Sequence, residues 1–140
     1  FGFNPITRYR RADTFSVDQL ELHLAYRDRG GAEPVLLARL REELGARAAW
    51  LTLGSSGALG ATAEGVEPLA PALTLHVRDT IGAGDAFFAL AGLCARMEEP
   101  VEVGTFLGQI AGALAANVTG NVEAVQREDL LNFASMVLNV

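Results

Sequence analysis

The sequence contains no lysine, and all 11 of its basic residues are arginine. A phosphate loop that contains lysine, a Schiff-base enzyme and a lysine-dependent protein-kinase fold each need an ammonium group, so these three classes are excluded. The single cysteine, Cys94, excludes a disulfide framework within the chain and a zinc site built from several cysteines. The two histidines, His23 and His76, leave little material for a histidine metal site.

The 17 acidic residues outnumber the basic ones and give a formal net charge of −6. An acidic surface repels phosphate groups, so neither a nucleic acid nor an anionic membrane is expected as a partner. Hydrophobic residues make up 50% of the sequence and charged residues 20%, which is typical of a globular protein. A length of 140 residues predicts a single domain over 1–140.

Neither a secretion signal nor a long apolar run is recognisable in the sequence. The N-terminal residues lack a basic segment followed by an apolar one. The most apolar stretch, 106–118, is too short to span a bilayer and includes Gln109 and Asn117. The sequence therefore predicts a cytoplasmic protein.

Segments with the pattern of strands alternate along the chain with segments that have the pattern of helices. The predicted strands lie at 13–17, 48–53, 58–62 and 73–77. The predicted helices lie at 19–29, 34–44, 86–97, 101–117 and 127–138. The first helix has Leu20 and Leu24 at helical spacing, and the third is apolar nearly all round. This order predicts an α/β fold of the Rossmann-like, three-layer α/β/α kind with a mainly parallel sheet, which binds ligands at the carboxyl ends of its strands.

The run Asp-Thr-Ile-Gly-Ala-Gly-Asp-Ala-Phe, at 79–87, lies between a predicted strand and a predicted helix. Its glycines allow positive φ angles and a close approach of the backbone to a ligand. The N–H groups and the dipole of the following helix then form an anion site that needs no lysine. Asp85 can act there as the N-cap of the helix, or it can take a proton from an attacking hydroxyl group.

With this run the sequence resembles the PfkB (ribokinase-like) family of carbohydrate kinases, whose signature is Asp-Thr-x-Gly-Ala-Gly-Asp-x-Phe. The resemblance implies that Gly82, Ala83 and Gly84 form the anion hole for the transferring phosphate. It also implies that Asp85 is the base that deprotonates the sugar hydroxyl and that Thr80 contributes to cofactor binding. ATP and Mg²⁺ are the implied cofactors. The chain would be the C-terminal, nucleotide-binding portion of such a ribokinase-like fold.

The run Thr-Leu-Gly-Ser-Ser-Gly at 52–57 follows an apolar strand and resembles the family's Thr-x-Gly-x-x-Gly nucleotide-phosphate turn. The resemblance implies that Thr52, Gly54 and Gly57 bind the nucleotide. Judged from its residues alone, the same run is an ordinary hairpin turn.

The run Asp-Gln-Leu-Glu at 18–21 resembles the family's Asn-x-x-Glu motif, which is linked to the placement of magnesium and phosphate. The resemblance implies Glu21 and Asp18 as metal residues, with Asp18 replacing the asparagine. A second carboxylate binds a hard cation more tightly but repels an unshielded phosphate. The alternative is a capping box, in which an aspartate and a glutamate three residues apart cap a helix.

The helix end near 111–120 falls where the family packs a helix and a loop against the adenine. The resemblance implies that Ala113 and Asn117 line this pocket, although any apolar helix end would have the same pattern.

Taken together, these runs predict an ATP-dependent carbohydrate kinase that transfers a phosphoryl group to an alcohol of a sugar or sugar phosphate. Its partners would be ATP and that small substrate, and the family resemblance also implies a possible homodimer. Two alternatives remain open. The chain can be a nucleotide-binding or oligomerisation module without catalysis, or part of a nucleoside or vitamin kinase.

Overall fold

The computed structural model describes residues 5–28, 30–73, 80–118 and 124–140. The strands are β1 (Thr14–Asp18), β2 (Ala48–Thr52), β3 (Ala58–Thr62) and β4 (Gly65–Val66). The helices are α1 (Gln19–Tyr26), α2 (Glu33–Leu44), α3 (Ala83–Arg96), α4 (Val101–Ala116) and α5 (Arg127–Leu138), with short 3-10 turns at Ile6–Arg8 and Gly54–Ser56. Within these ranges no helix has both the length and the apolar character that crossing a membrane requires.

The strands form one four-stranded sheet in the order β1-β2-β3-β4. The α/β class is confirmed, and the described sheet is mixed. Strands β1 and β2 are parallel, whereas β2–β3 and β3–β4 are antiparallel. Short connections join β2 to β3 and β3 to β4, and such connections allow only antiparallel neighbours. The strand predicted over 73–77 lies outside the described residues except for its first residue.

Helices cover both faces of the sheet, which confirms the three-layer arrangement. On one face, leucines of α1 and α2 pack against Phe15, Val17 and Leu51 in a continuous buried cluster. On the other face, Trp50 packs against Phe87 and its neighbours in α3 and α4. Strand β2 is buried on both sides because it lies between these two clusters.

Two helices differ from the sequence prediction in which side chains they bury. Helix α1 ends at Tyr26, earlier than predicted, and it buries Leu22 completely, while Leu20 and Leu24 are 53% and 49% exposed. The helix has eight residues, so it contacts the sheet over little more than one turn. The apolar pattern of the third predicted helix implies a buried helix, but within the described residues α3 packs on one side and leaves Leu93 exposed.

Helices α3 and α4 pack closely through small residues of α4. A β-carbon added at Gly108 would lie 2.9 Å from the ring of Phe87, and one added at Gly104 would lie 3.3 Å from the carbonyl oxygen of Ala91 in α3. The two backbones can approach this closely only because neither position carries a side chain. The start of α3 is therefore held at a fixed place against the C-terminal half of α4.

Candidate functional site

The carboxyl ends of β1 and β2 lie side by side, because the two strands are parallel. Asp18 and Thr52 are register partners at these ends. The Thr52 hydroxyl group donates a hydrogen bond to the carbonyl oxygen of Val17, at 3.5 Å. Two of the sequence-predicted motifs, the acidic run at 18–21 and the glycine-containing run at 52–57, therefore begin at the same edge of the sheet.

Asp18 and Glu21 form a reciprocal capping box at the start of α1. The backbone N–H of Glu21 donates to Oδ1 of Asp18 at 2.7 Å, and the backbone N–H of Asp18 donates to Oε2 of Glu21 at 3.0 Å. The capping interpretation is therefore confirmed. Each carboxylate has a second oxygen with no hydrogen-bond partner among the described residues.

These remaining oxygens are the donors that could contact a hard cation. Magnesium is commonly held by one or two protein carboxylates together with water and substrate phosphates. Across the ranges that the structure describes, no group of three or more metal-binding side chains is found. Asp18 and Glu21 alone are thus too few to enclose a cation. They suit a cation that is also bound by a phosphate ligand.

The turn between β2 and β3 is built on two glycines with positive φ angles. Gly54 has φ +56° and Gly57 has φ +116°. The backbone N–H of Leu53 donates to the carbonyl of Gly57 at 2.8 Å and closes the turn. A β-carbon at Gly57 would lie 1.9 Å from the carbonyl oxygen of Ala70, so glycine is required there both by conformation and by space. The hairpin expected from the residues alone is present, with Thr52 at its base.

The first turn of α3 begins at Gly82, which has φ +82° and occupies the N-cap position. The backbone N–H of Ala83 donates to the carbonyl of Thr80 at 3.2 Å. Asp85 is the third residue of the helix and is exposed, so its interpretation as the N-cap was wrong. A glycine with a positive φ angle occupies that position. Among the residues that the structure describes, none has an atom within 4 Å of a β-carbon added at Gly84, so this side of the first turn is open within the described part of the chain. Asp79, the first residue of the motif, lies outside the described residues.

The C-terminal half of α4 lies against the start of α3. A β-carbon at Gly112 would lie 3.2 Å from the carbonyl oxygen of Ala83. The next residue, Ala113, is buried, and the side-chain amide of Asn117 donates to the Ala113 carbonyl at 3.0 Å. The predicted contact of Ala113 and Asn117 with an adenine stays a prediction, since both residues are engaged within α4 itself.

A groove of about 170 Å³ separates α4 from the segment 67–73, and it was not predicted. Its lining is Gly60, Glu67, Pro68, Ala70, Pro71, Leu73, Glu102, Thr105, Phe106 and Gln109. The amide of Gln109 donates to the carbonyls of Ala70 and Pro71 at 3.0 and 3.2 Å. The same carbonyl of Ala70 lies beside Gly57, so the groove adjoins the turn at 54–57.

The sequence held one signal for this groove. The four lining residues of α4 are spaced as one helical face, and they include all three polar residues of that helix, Glu102, Thr105 and Gln109. The other wall comes from residues 60–73, and the sequence gives no indication that the two segments meet.

The sequence model of the pfkB family carbohydrate kinases matches residues 7–127 of the chain. No curated protein matches the chain. Among solved structures, phosphofructokinase-2 from Escherichia coli, in complex with substrates and products, is similar with a TM-score of 0.77 and 19% identity, covering 91% of this chain and 42% of that one.

Two further solved structures are similar in fold. Ribokinase from Thermotoga maritima has a TM-score of 0.78 and 19% identity, with 96% of this chain and 46% of that chain covered. A ligand-free nucleoside kinase from Burkholderia thailandensis has a TM-score of 0.68 and 24% identity, with 87% and 39% covered. The chain thus spans less than half the length of each of these proteins.

Proposed function

The chain belongs to the pfkB family of carbohydrate kinases, and from this premise we propose that it is the nucleotide-binding and anion-hole part of an ATP-dependent kinase. The reaction would transfer the γ-phosphoryl group of ATP to an alcohol group of a sugar or sugar phosphate. The chain spans less than half the length of the similar solved structures, so the proposal assigns the acceptor-binding residues to a part of the kinase outside this sequence.

One observation carries the proposal, namely a connected series of contacts that joins the motif regions. Asp18 and Thr52 are register partners, and Thr52 begins the turn that ends at Gly57. That turn contacts Ala70, and Ala70 is bonded to α4. One helical turn further along α4, Gly112 contacts the first residue of α3. Runs far apart in the sequence are thereby gathered near one edge of the sheet, the edge at which parallel sheets bind ligands.

The first turn of α3 is the proposed anion hole. The N–H of Ala83 donates to the carbonyl of Thr80, whereas the N–H groups of Gly84 and Asp85 have no acceptors within the helix, and the helix dipole places partial positive charge at them. Because Gly84 has no β-carbon and no described residue lies within 4 Å of where one would be, a phosphate oxygen can approach the backbone closely. Such donors are oriented before the reaction begins, so they stabilise the charge of the transferring phosphate without reorganisation.

Asp18 and Glu21 are the proposed magnesium residues. Their capping box fixes both carboxylates and leaves one oxygen of each to face a ligand. Bound Mg²⁺ would neutralise charge on the nucleotide phosphates. Aspartate at 18 places one more negative charge near those phosphates than the family's asparagine would, so nucleotide binding should depend strongly on the cation.

Asp85 is the proposed base. Its side chain is exposed and does not cap the helix, so the carboxylate is available to an acceptor substrate. The acceptor O–H would give its proton to this carboxylate while the oxygen forms a bond to the γ-phosphorus and ADP leaves. General-base catalysis of this kind contributes about 10²- to 10⁴-fold to a rate.

The groove between α4 and 67–73 is the proposed place of the nucleotide base. Its walls are mostly apolar and include Phe106 and Pro71, whose faces can pack on a planar ring. It adjoins the turn at 54–57, which the family resemblance assigns to the nucleotide phosphates. Ala113 and Asn117 lie further along α4, and their predicted contact with the adenine stays a prediction.

A second candidate is a nucleotide-binding module without catalysis of its own. This candidate keeps the family and the fold that the comparisons show and drops only the phosphoryl transfer. A nucleoside is a third acceptor class, and one of the structures of similar fold is a nucleoside kinase. In all three cases the nucleotide-binding part of the proposal is the same.

Calorimetric titration of the 140-residue chain with a non-hydrolysable ATP analogue, with and without Mg²⁺, tests the proposal. The fluorescence of Trp50, the single tryptophan, supplies a second signal because its indole bonds to Thr105 in the groove wall. We expect magnesium-dependent binding in the micromolar range, which corresponds to about −8 kcal/mol. A chain that is folded by circular dichroism and binds no nucleotide would overturn the proposal.

A further inference from the structure

Helix α1 carries the candidate magnesium pair, yet little of it is fixed by burial. It has eight residues, of which Leu22 is the one buried side chain. Helices of this length are not stable in isolation, so the position of α1 depends on its tertiary contacts. The polar contacts that α1 makes with α2 therefore determine where Asp18 and Glu21 are held.

Glu33, the first residue of α2, contacts α1 at two points. Its Oε1 accepts a hydrogen bond from the side-chain amide of Gln19. The same oxygen lies 3.7 Å from Nε2 of His23, and the two side chains are only 28% and 15% exposed. His23 also lies within hydrogen-bond distance of the carbonyl of Asp28, just beyond the end of α1.

We propose that Glu33 is a positioning residue for the magnesium pair. Gln19 directly follows Asp18, so a bond from Glu33 to Gln19 fixes the first turn of α1, where the capping box is formed. The second contact, to His23 one helical turn further on, restrains the rotation of α1 about its axis. This inference rests on the proposed function, because it assigns Glu33 a purpose only if Asp18 and Glu21 bind the cation.

The structure provides a matched control at the other end of α1. The hydroxyl group of Tyr26 donates to Oε2 of Glu43 in α2 at 3.0 Å, and Glu43 also accepts from Arg39. Tyr26 is seven residues beyond Gln19, which is about 10 Å along a helix. Tyr26→Phe therefore loosens the same pair of helices without touching the end that carries the magnesium pair.

The test compares Glu33→Ala with Tyr26→Phe in the full chain. Groups that orient a metal ligand typically change metal affinity about 10- to 100-fold when they are removed. We expect Glu33→Ala to raise the Mg²⁺ concentration needed for binding of the ATP analogue by this factor, and Tyr26→Phe to leave it unchanged. Glu33→Gln keeps an acceptor for Gln19 but loses the charge that faces His23. The Mg²⁺ concentration that it needs should therefore lie between those of Glu33→Ala and Tyr26→Phe.

A second measurement, made without nucleotide, separates this inference from the proposed function. Hydrogen exchange of the Glu21 backbone amide reports the capping box directly, because that N–H donates to Asp18. Faster exchange in Glu33→Ala than in Tyr26→Phe supports the positioning role even if the wild-type chain binds no nucleotide, a result that would overturn the proposed function alone. Equal effects of the two variants on exchange and on the Mg²⁺ dependence would overturn the positioning role.

Discussion

Gly112 and Ala83 bring two helices into backbone contact at the candidate site: a β-carbon at Gly112 would lie 3.2 Å from the Ala83 carbonyl oxygen. This contact places α4 against the first helical residue that follows the N-cap Gly82. At the next residue, Gly84, an added β-carbon would meet no atom of the described ranges within 4 Å. The proposed anion hole therefore has one wall supplied by α4 and one open side through which a phosphate can approach.

Gly84→Ala separates the binding role of this glycine from a structural role. Alanine is a better helix former than glycine, so with no steric conflict the variant should be more stable by about 0.4–1 kcal/mol. The added methyl group occupies the open side, so the affinity for the magnesium-bound ATP analogue should fall. Thermal unfolding and calorimetric titration measure the two effects.

Gly108→Ala is the control for this prediction. Its β-carbon would lie 2.9 Å from the ring of Phe87, inside the interface of α3 and α4. Overpacking of this kind costs about 1–3 kcal/mol, so stability should fall in this variant. If Gly84→Ala binds the analogue as tightly as the wild type does, the first turn of α3 is not the phosphate site.

Asp85→Asn should leave nucleotide binding intact and remove most of the phosphoryl transfer. The side chain does not cap α3, so folding does not require its charge. Loss of a general base lowers a rate by about 10²- to 10⁴-fold. The measurement is turnover of an active kinase that contains this chain, alongside titration with the ATP analogue. Unchanged turnover would remove Asp85 from the role of base.

The sequence was informative where function depends on a contiguous run, and less so where it depends on packing. The run 79–87 predicted a glycine turn followed by a helix, and the structure has Gly82 at the N-cap of α3. The role of Asp85 as a cap was wrong, because a glycine with a positive φ angle can hold the N-cap position without a side-chain bond. Sequence alone could not decide which of the two residues begins the helix.

The groove and the buried face of α1 could not be predicted either, because both depend on contacts between segments that are distant in the sequence. The groove needs Gln109 to reach the carbonyl of Ala70, 39 residues earlier, and no local pattern indicates that contact. In α1, the spacing of Leu20 and Leu24 is as helical as that of any core face, yet Leu22 is buried instead. A helix this short is oriented by its caps and its contacts with α2, so its hydrophobic pattern does not decide which side faces the sheet.

Asp18→Asn and Asp18→Ala separate capping from cation binding. Asparagine caps a helix about as well as aspartate does, whereas alanine costs about 1 kcal/mol. We therefore expect Asp18→Asn to be as stable as the wild type and Asp18→Ala to be less stable by about 1 kcal/mol. Both variants remove a carboxylate, so both should need more Mg²⁺ for nucleotide binding. Without Mg²⁺, Asp18→Asn should bind the analogue better than the wild type because less negative charge faces the phosphates.

Urea unfolding and titrations at several Mg²⁺ concentrations measure these effects on Asp18. An Asp18→Asn variant with the stability and the Mg²⁺ dependence of the wild type would show that this residue is only a cap. In that case Glu21 would be the sole remaining candidate of the pair.

Gly57→Ala should disrupt the turn at 54–57 far more than Gly54→Ala does. Both glycines have positive φ angles, and a left-handed conformation costs an alanine about 1–2 kcal/mol. At Gly54 this conformational cost is the only one expected, since a β-carbon there would meet no atom of a described residue within 4 Å. At Gly57 the β-carbon would also overlap the carbonyl oxygen of Ala70, so either the turn at 54–57 or the segment around Ala70 must move.

The Gly57→Ala variant should therefore be destabilised by more than about 3 kcal/mol, the upper range of backbone strain at one residue. Because Ala70 also accepts the bond from Gln109, its displacement would open the groove beside α4 as well. Urea unfolding followed through the fluorescence of Trp50 measures the stability of both variants, and a shift in its emission maximum reports the groove wall through Thr105. Equal destabilisation of the two variants would show that the hairpin can release Ala70 without cost, and the turn and the groove would then be independent of each other.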